Sequence, residues 1–78
     1  MYYSVKSVKP LENYILLLEF ENTEKRVFDM KPYLNKGIFK ELSDVKVFNS
    51  VRISFDSIEW SNHADIDPEF LYDKSVKC

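Results

Sequence analysis

The 78-residue sequence is poor in the residue types from which most redox, metal and catalytic sites are built. It holds one cysteine, one glycine and one histidine. Because Cys78 is the sole cysteine, no disulfide can form within the chain, whereas a secreted domain of this size usually needs several. The composition therefore predicts a protein of the reducing cytoplasm.

The same scarcity argues against an enzyme. A nucleophile needs a positioned base, and His63 is the only histidine available, while Cys78 lies at the terminus. The sequence has no glycine-rich phosphate loop, no paired-cysteine motif and no His-x-x-x-His spacing. We expect no catalytic residues, no cofactor and no metal site.

Long hydrophobic runs are also missing. The N-terminus has no apolar signal region, and the longest aliphatic run, Ile15 to Leu18, is far below the roughly 20 residues that span a bilayer. We expect no membrane segment and a single domain over residues 1–78, because a chain of this length has room for one core.

What is present is apolar and aromatic: 45% of residues are hydrophobic, with one Trp, five Tyr and six Phe. Residues Tyr14 to Phe20 are apolar at both alternating sets of positions, which predicts a central strand buried on nearly both faces. A weaker strand is predicted at Val5 to Lys9, and it needs a bulge to bring its two valines to one face. Pro10 removes a ladder donor where this strand ends, which is typical of an edge strand. With Lys25 to Phe28, these strands form a predicted meander.

Short helical turns follow. Pro32 cannot donate to a ladder, and Gly37 is expected at positive φ where the first turn ends. A second hairpin is predicted from Val51 to Phe55 and Ile58 to Trp60, with Val51, Ile53 and Phe55 on one face. Asp67 and Pro68 match the N-cap and first residue of a short C-terminal helix. The fold class is α+β.

The segment that leads into this helix carries most of the candidate polar residues. Three carboxylates near His63 are able to approach one another and bind a hard cation through oxygen, which keeps a small metal-dependent enzyme as a third hypothesis. The competing interpretation is structural: Asp67 caps the helix, and Trp60 is a core ring. The carboxylates are Asp65, Asp67 and Glu69.

Charge is uneven along the chain although the net charge is −2. Residues 25–52 carry seven bases against three acids, and residues 53–73 carry six acids and no base. A basic side of this kind supports an alternative function, nucleic-acid binding within a regulatory complex, with affinity that falls steeply with salt. The bases are Lys25, Arg26, Lys31, Lys36, Lys40, Lys46 and Arg52.

A set of residues and short motifs spread over nearly the whole chain forms one pattern. It consists of Val5 to Leu11, Tyr14, Phe20, Phe28-Asp29, Pro32-Tyr33-Leu34, Gly37, Phe39, Leu42, Phe48, Trp60-Ser61-Asn62 and Asp65-Ile66-Asp67-Pro68-Glu69. This pattern resembles a bacterial family, the domain of unknown function 2442. Thr23 and His63 depart from it, since each stands where the family commonly has glycine. The resemblance implies a small α+β fold without established activity, and genes that stand beside a second small protein in the manner of toxin–antitoxin pairs.

The leading hypothesis is a protein-interaction module. A two-faced apolar strand and an unpaired edge both invite a partner chain. Two alternatives would also cover Ile15 and Leu17: helices on both sheet faces, or a homodimer through the sheet. The candidate partner-binding residues are Ile15, Leu17, Trp60, Asn62, His63, Asp65, Asp67 and Glu69.

Overall fold

The computed structural model describes residues 4–78 as an α+β chain of two antiparallel sheets and short helices. The helices are α1 (Val45–Phe48) and α2 (Pro68–Lys74), with 3₁₀ helices at Glu12–Tyr14, Lys31–Tyr33 and Gly37–Ser43. The strands are β1 (Val5–Leu11), β2 (Ile15–Phe20), β3 (Lys25–Asp29), β4 (Arg52–Ser54), β5 (Ser57–Glu59), β6 (Asp65–Ile66) and β7 (Val76–Lys77).

The first three strands form the predicted meander, with β2 in the middle. Val5 pairs with Phe20 but Ser7 pairs with Glu19, so the register shifts by one residue within β1. This is the bulge that the two valines required, and it places Val5 and Val8 on one face. The strand runs one residue beyond Pro10, contrary to the prediction, because an edge strand tolerates a missing ladder donor.

A fourth strand corrects the predicted three-stranded sheet. β7 pairs with β3, giving the order β1-β2-β3-β7. Arg26 fixes this pairing: its Nε donates to Ser75 Oγ at 2.7 Å, and its Nη2 donates to the Ser75 carbonyl at 2.8 Å. A strand of two residues is too short for an alternation of apolar and polar positions to be recognised in the sequence.

The second sheet has the order β4-β5-β6, so the predicted hairpin gains a strand. Its turn lies one residue earlier than predicted, because Ser54 pairs with Ser57 and leaves Phe55 and Asp56 in the loop. The predicted common face of Val51, Ile53 and Phe55 is therefore wrong. Phe55 is 99% exposed and has a φ of 56°.

The helical segments follow the predicted turn chemistry. Asp67 caps α2 by accepting from the Glu69 N–H, and Pro68 is its first residue, as predicted. Gly37 has the expected positive φ, 52°, but it begins the second 3₁₀ helix of this region instead of ending the first. Within residues 4–78, no helix has the length and apolar content needed to cross a membrane.

One hydrophobic core joins the helices and the second sheet to a single face of the first sheet. Leu16, Leu18 and Phe28 lie on that face and are at most 1% exposed. Trp60 is fully buried and its Nε1 donates to the Phe48 carbonyl at 3.0 Å. The core residues are Val5, Leu16, Leu18, Phe20, Phe28, Met30, Leu42, Phe48, Ile58, Trp60, Ala64 and Leu71.

Candidate functional site: the open face of the first sheet

The face of the first sheet that points away from the core carries a continuous apolar row. Leu17 pairs with Lys9 on one side and with Val27 on the other, and Val27 pairs in turn with Val76. Because directly paired residues of antiparallel strands project to the same side, these four side chains lie in one line across all four strands. Leu17, Val27 and Val76 form the apolar row, and Lys9 borders it on β1. We name this surface the open face.

A second apolar pair extends the open face toward the β1–β2 turn. Ile15 pairs with Leu11, and Leu11 is 38% exposed. Ile15, Leu17 and Val27 are only half-buried, and Val76 is 66% exposed. An antiparallel sheet with one solvated face normally carries polar side chains there, so five aliphatic residues on this face are unusual.

The rim of the open face carries both signs of charge. Glu19 pairs across the strands with Lys25, and Asp29 pairs with Ile15. Asp29 also forms an ion pair with Lys31 at 3.1 Å. The face is therefore an apolar row bordered by carboxylates and ammonium groups rather than a surface of one sign.

This geometry decides between the alternatives for Ile15 and Leu17. Within residues 4–78, the buried hydrophobic residues of the helices and of the second sheet all belong to the core on the opposite face. The hypothesis that helices cover both faces of the sheet is wrong for this part of the chain. A partner chain and a second copy of this chain remain as the two ways to cover the row.

The predicted edge at Val5 to Lys9 is partly engaged within the chain. β1 is the terminal strand of its sheet, as predicted. However, the Val5 N–H donates to the Asp56 carbonyl at 2.9 Å, and Ser4 Oγ donates to Asp56 Oδ1 at 3.2 Å. The tip of the β4–β5 hairpin thus occupies the start of the edge, so the open face is the better candidate surface.

The other proposed partner-binding residues have structural roles or stand apart from this face. Trp60 is inside the core and is removed from the candidate surface. Asn62 Nδ2 donates to Glu41 Oε1 at 2.9 Å, and its Oδ1 accepts from the Ala64 N–H, so it ties a loop to the Gly37–Ser43 helix. The side chain of His63 is 83% exposed.

The acidic segment does not assemble a metal site. Asp65 lies in β6 opposite Glu59, while Asp67 and Glu69 belong to the cap and first turn of α2. In residues 4–78 there is no group of three or more His, Cys, Asp or Glu side chains that is able to hold an ion. The structure therefore gives no support to a cation site built from Asp65, Asp67 and Glu69.

Glu59 organises the exposed side of the second sheet. Its carboxylate lies 3.1 Å from Arg52 Nη2 and 3.4 Å from His63 Nδ1. Hydrogen bonding from the Ser54 hydroxyl is the main cause that lowers the pKa of Glu59, with smaller contributions from His63 and Arg52. This cluster is a surface ion-pair network rather than an acid–base pair.

The basic side predicted from residues 25–52 is partly neutralised. Arg26 is half-buried and bonded to Glu24, Lys31 is paired with Asp29, and Arg52 is paired with Glu59. The exposed lysines of the helical region, Lys36, Lys40 and Lys46, remain. Three of the seven bases are thus engaged within the chain, which weakens the case for a phosphate-binding surface.

A groove of about 600 Å³ opens beside the β1–β2 turn. Its walls include Leu11, Tyr14, Val45 and Phe48, and Glu12 is the one carboxylate among the described residues that line it. Tyr14 holds a left-handed backbone, φ 61°, with its hydroxyl donating to the Ser43 carbonyl at 2.5 Å. The described part of the groove thus has mainly apolar walls, and its lining residues include no acid–base pair.

Comparison with known proteins assigns the chain to a family. The family described as "Protein of unknown function (DUF2442)" matches residues 5–77. The chain belongs to this family. No curated protein and no solved structure matches it. The DUF2442 match spans β1 to β7 and thus includes every strand that builds the open face.

The main site residues that sequence reasoning missed are Val27 and Val76. Val27 alternates with Arg26 and Phe28, so its position on the face opposite to Phe28 was readable from the pattern. Val76 was not readable, because its two-residue strand depends on tertiary contacts, which include its pairing with β3 and the bonds of Ser75 with Arg26. In the sequence, Lys9, Glu19 and Lys25 have no feature that distinguishes them from other surface residues. Only the register of β1, β2 and β3 shows that they border the apolar row.

Proposed function

We propose that this DUF2442 chain is a protein-interaction module of the bacterial cytoplasm that acts by binding a protein chain on its open face. One observation carries the proposal: the row Leu17, Val27 and Val76 is aliphatic, partly solvent-exposed and outside the core. Contiguous exposed apolar area rimmed by polar residues is typical of protein–protein contact sites. The pairing with a small partner that the family resemblance implies is compatible with such a module.

Shape favours a protein chain as the ligand over a small molecule. The open face is a sheet surface about four strands wide, whereas small-molecule sites are concave and enclose most of their ligand. An aliphatic row with charges of both signs at its border has the arrangement of an interface core with a polar rim. The module thus acts by binding and not by catalysis.

The test is affinity capture from the native lysate with three tagged chains: wild type, Leu17→Asp and Phe55→Asp. Phe55→Asp is the matched control, because Phe55 is 99% exposed and lies on the hairpin tip, away from the open face. We expect a stoichiometric protein with the wild type and with Phe55→Asp, and its loss with Leu17→Asp. Circular dichroism confirms that each chain is folded.

Nuclease treatment separates the two classes of partner. A protein that is retained after nuclease treatment supports the proposal, because its capture does not depend on a nucleic-acid bridge. Proteins lost with nuclease would favour the alternative of nucleic-acid binding. A folded Leu17→Asp chain that captures the same protein as the wild type would contradict the proposal.

A further inference from the structure

The centre of the open face is self-complementary. Its strands β2 and β3 are antiparallel neighbours in the middle of the sheet, and Leu17 and Val27 are directly paired across them. Next to this pair along the strands, on the same face, Glu19 is directly paired with Lys25. Each pair thus has one member on β2 and one on β3, on either side of a line that runs parallel to the strands.

A two-fold axis parallel to that line exchanges the two strands between copies. When two sheets pack face to face about such an axis, β2 of one copy lies over β3 of the other. Leu17 then faces the partner's Val27, and Glu19 faces the partner's Lys25. At the centre of the face, one symmetry operation brings apolar side chains onto apolar side chains and a carboxylate onto an ammonium group, twice in each dimer. Toward the edges of the face, it places Ile15 opposite the partner's Asp29 and Lys9 opposite the partner's Val76.

From this correspondence we infer that a second copy of this chain packs on the open face as a two-fold symmetric dimer. The inference rests on the proposed function and names its partner. The charges on the rim of the open face favour a second copy of this chain over a strongly basic or a strongly acidic protein. The rim holds Lys9 and Lys25 together with Glu19 and Asp29, so a partner of one sign meets like charges, which costs affinity.

The area of the open face sets the expected affinity of the dimer. Four strands about 4.8 Å apart and about five residues long give a flat area of roughly 300 Å² per copy. Stable complexes bury about 800 Å² per partner. The dimer is therefore weak, and monomer and dimer exchange with concentration. A head-to-tail contact would instead build open chains, whereas the two-fold contact closes at two copies.

The experiment is sedimentation velocity of the purified full chain from about 5 to about 500 µM. We expect the wild type to shift from monomer to dimer, without larger species, as the concentration rises. Leu17→Asp and Val76→Asp should stay monomeric across the range. Val76→Asp is the safer second variant, because Val76 is 66% exposed on a terminal strand.

A charge exchange tests the two-fold geometry itself. Glu19→Lys and Lys25→Glu each place like charges opposite one another, so each alone should lose dimer affinity by roughly tenfold or more. The double variant Glu19→Lys/Lys25→Glu should dimerise like the wild type. An equimolar mixture of the two single variants should form a mixed dimer, because a doubly basic face then meets a doubly acidic one.

The outcomes separate this inference from the proposed function. If the wild type is monomeric at every concentration, the inference that a second copy covers the open face is wrong. The two-fold dimer is also wrong if the wild type dimerises but the mixture of the two single variants stays monomeric. If the wild type is monomeric but the lysate capture still distinguishes Leu17→Asp from Phe55→Asp, the open face binds a different protein. If neither experiment responds to Leu17→Asp, the proposed function fails as well.

Discussion

Left-handed backbone at residues other than glycine is the main source of local strain. Five such residues have φ between 56° and 71° in residues 4–78. Most L-residues lose about 1–2 kcal/mol in this region, and asparagine is the common exception. Two of the five, Thr23 and His63, directly follow turns, where glycine adopts this backbone conformation without strain. The others are Asn13, Tyr14 and Phe55.

Glycine at position 23 or at position 63 should therefore stabilise the fold. We expect Thr23→Gly and His63→Gly each to raise the free energy of unfolding by about 0.5–1 kcal/mol, since relief of strain exceeds the entropy that glycine adds to the unfolded chain. His63 loses only an exposed contact with Glu59, which contributes little. Urea denaturation at neutral pH measures both effects.

Alanine provides the control at the same position. Thr23→Ala keeps a Cβ atom, so it should leave most of the strain in place and give little or no gain. If alanine stabilises the chain as much as glycine does, the gain comes from removing the threonine side chain and not from the backbone. That result would contradict the strain account of this position.

At the scale of elements, a polar clamp fixes the C-terminal segment to the first sheet. Tyr72 donates to Glu24 Oε2 at 2.6 Å, and Arg26 donates to Glu24 Oε1 at 2.7 Å. The Arg26 guanidinium also lies 4.3 Å from the centre of the Tyr72 ring. The clamp links the β2–β3 hairpin to α2 and, through Ser75, to the start of β7.

Removal of the Arg26 guanidinium should break the clamp between the β2–β3 hairpin and the C-terminal segment. Arg26→Met keeps much of the apolar stem but removes the hydrogen bonds to Glu24 and Ser75. We expect the free energy of unfolding to fall by roughly 1–3 kcal/mol, because hydrogen bonds of charged groups at partly buried sites contribute in this range. We also expect faster amide exchange at Val76 and Lys77. Unchanged exchange there would show that β7 is held independently of Arg26.

The clamp also predicts how stability depends on pH. The hydrogen bond from Tyr72 is the main cause that lowers the pKa of Glu24 below its ordinary value of 4.5, with Arg26 and Asn22 adding to it. A carboxyl whose pKa is lower in the folded chain stabilises it above the ordinary pKa, and this contribution is lost as the pH falls through the folded value. Stability should therefore decrease as the solution is acidified below about pH 4.5.

Glu24→Gln isolates this contribution. The variant should be less stable than the wild type at neutral pH and should lose less stability between pH 5 and pH 3, since its side chain does not titrate. Urea denaturation across this range measures both slopes. Parallel slopes for the two chains would mean that other carboxyls, such as Glu59, carry the acid sensitivity.

Sequence patterns predicted the parts of the fold that depend on local chemistry. The β1–β3 meander followed from alternation, and the start of α2 followed from Asp67 and Pro68. What sequence missed depends on tertiary contacts. The pairing of β7 with β3 is accompanied by the bonds of Arg26 with Ser75, which are far apart in the sequence. A one-residue difference in the β4–β5 turn moves Phe55 from a predicted sheet face to the hairpin tip.

The candidate surface was only partly readable in the same way. Ile15 and Leu17 stand out because β2 is apolar on both faces. The sequence did not say whether helices of the same chain cover the second face, because that depends on the side of the sheet on which each connection passes. The polar segment around His63 attracted attention by composition, although its residues serve as a cap, a loop tie and exposed groups.

For the molecule as a whole, the residues of the core and those of the proposed binding surface lie on opposite faces of one strand. Leu16 is fully buried, whereas Leu17, the next residue, lies on the open face. We expect Leu16→Asp to unfold the chain, with a loss of more than about 4 kcal/mol, because it places a charge in the core. Leu17→Asp should cost only about 1–2 kcal/mol and stay folded.

Thermal unfolding followed by circular dichroism checks this contrast. The matched pair uses the same substitution at adjacent positions of one strand, so differences in strand propensity are small. A Leu17→Asp chain that is as unfolded as Leu16→Asp would show that the open face belongs to the folding core and is not reserved for a partner.

The most direct measurement of the central claim is thiol labelling on the open face. Val76→Cys and, as control, Phe55→Cys are made in a Cys78→Ser background, which removes the native thiol. In dilute purified chains, both thiols should react with a maleimide at similar rates, since both positions are exposed. In the cell, Val76→Cys should be protected while Phe55→Cys reacts freely. Equal reactivity of both thiols in the cell would contradict the account, because the open face would then be uncovered where the protein acts.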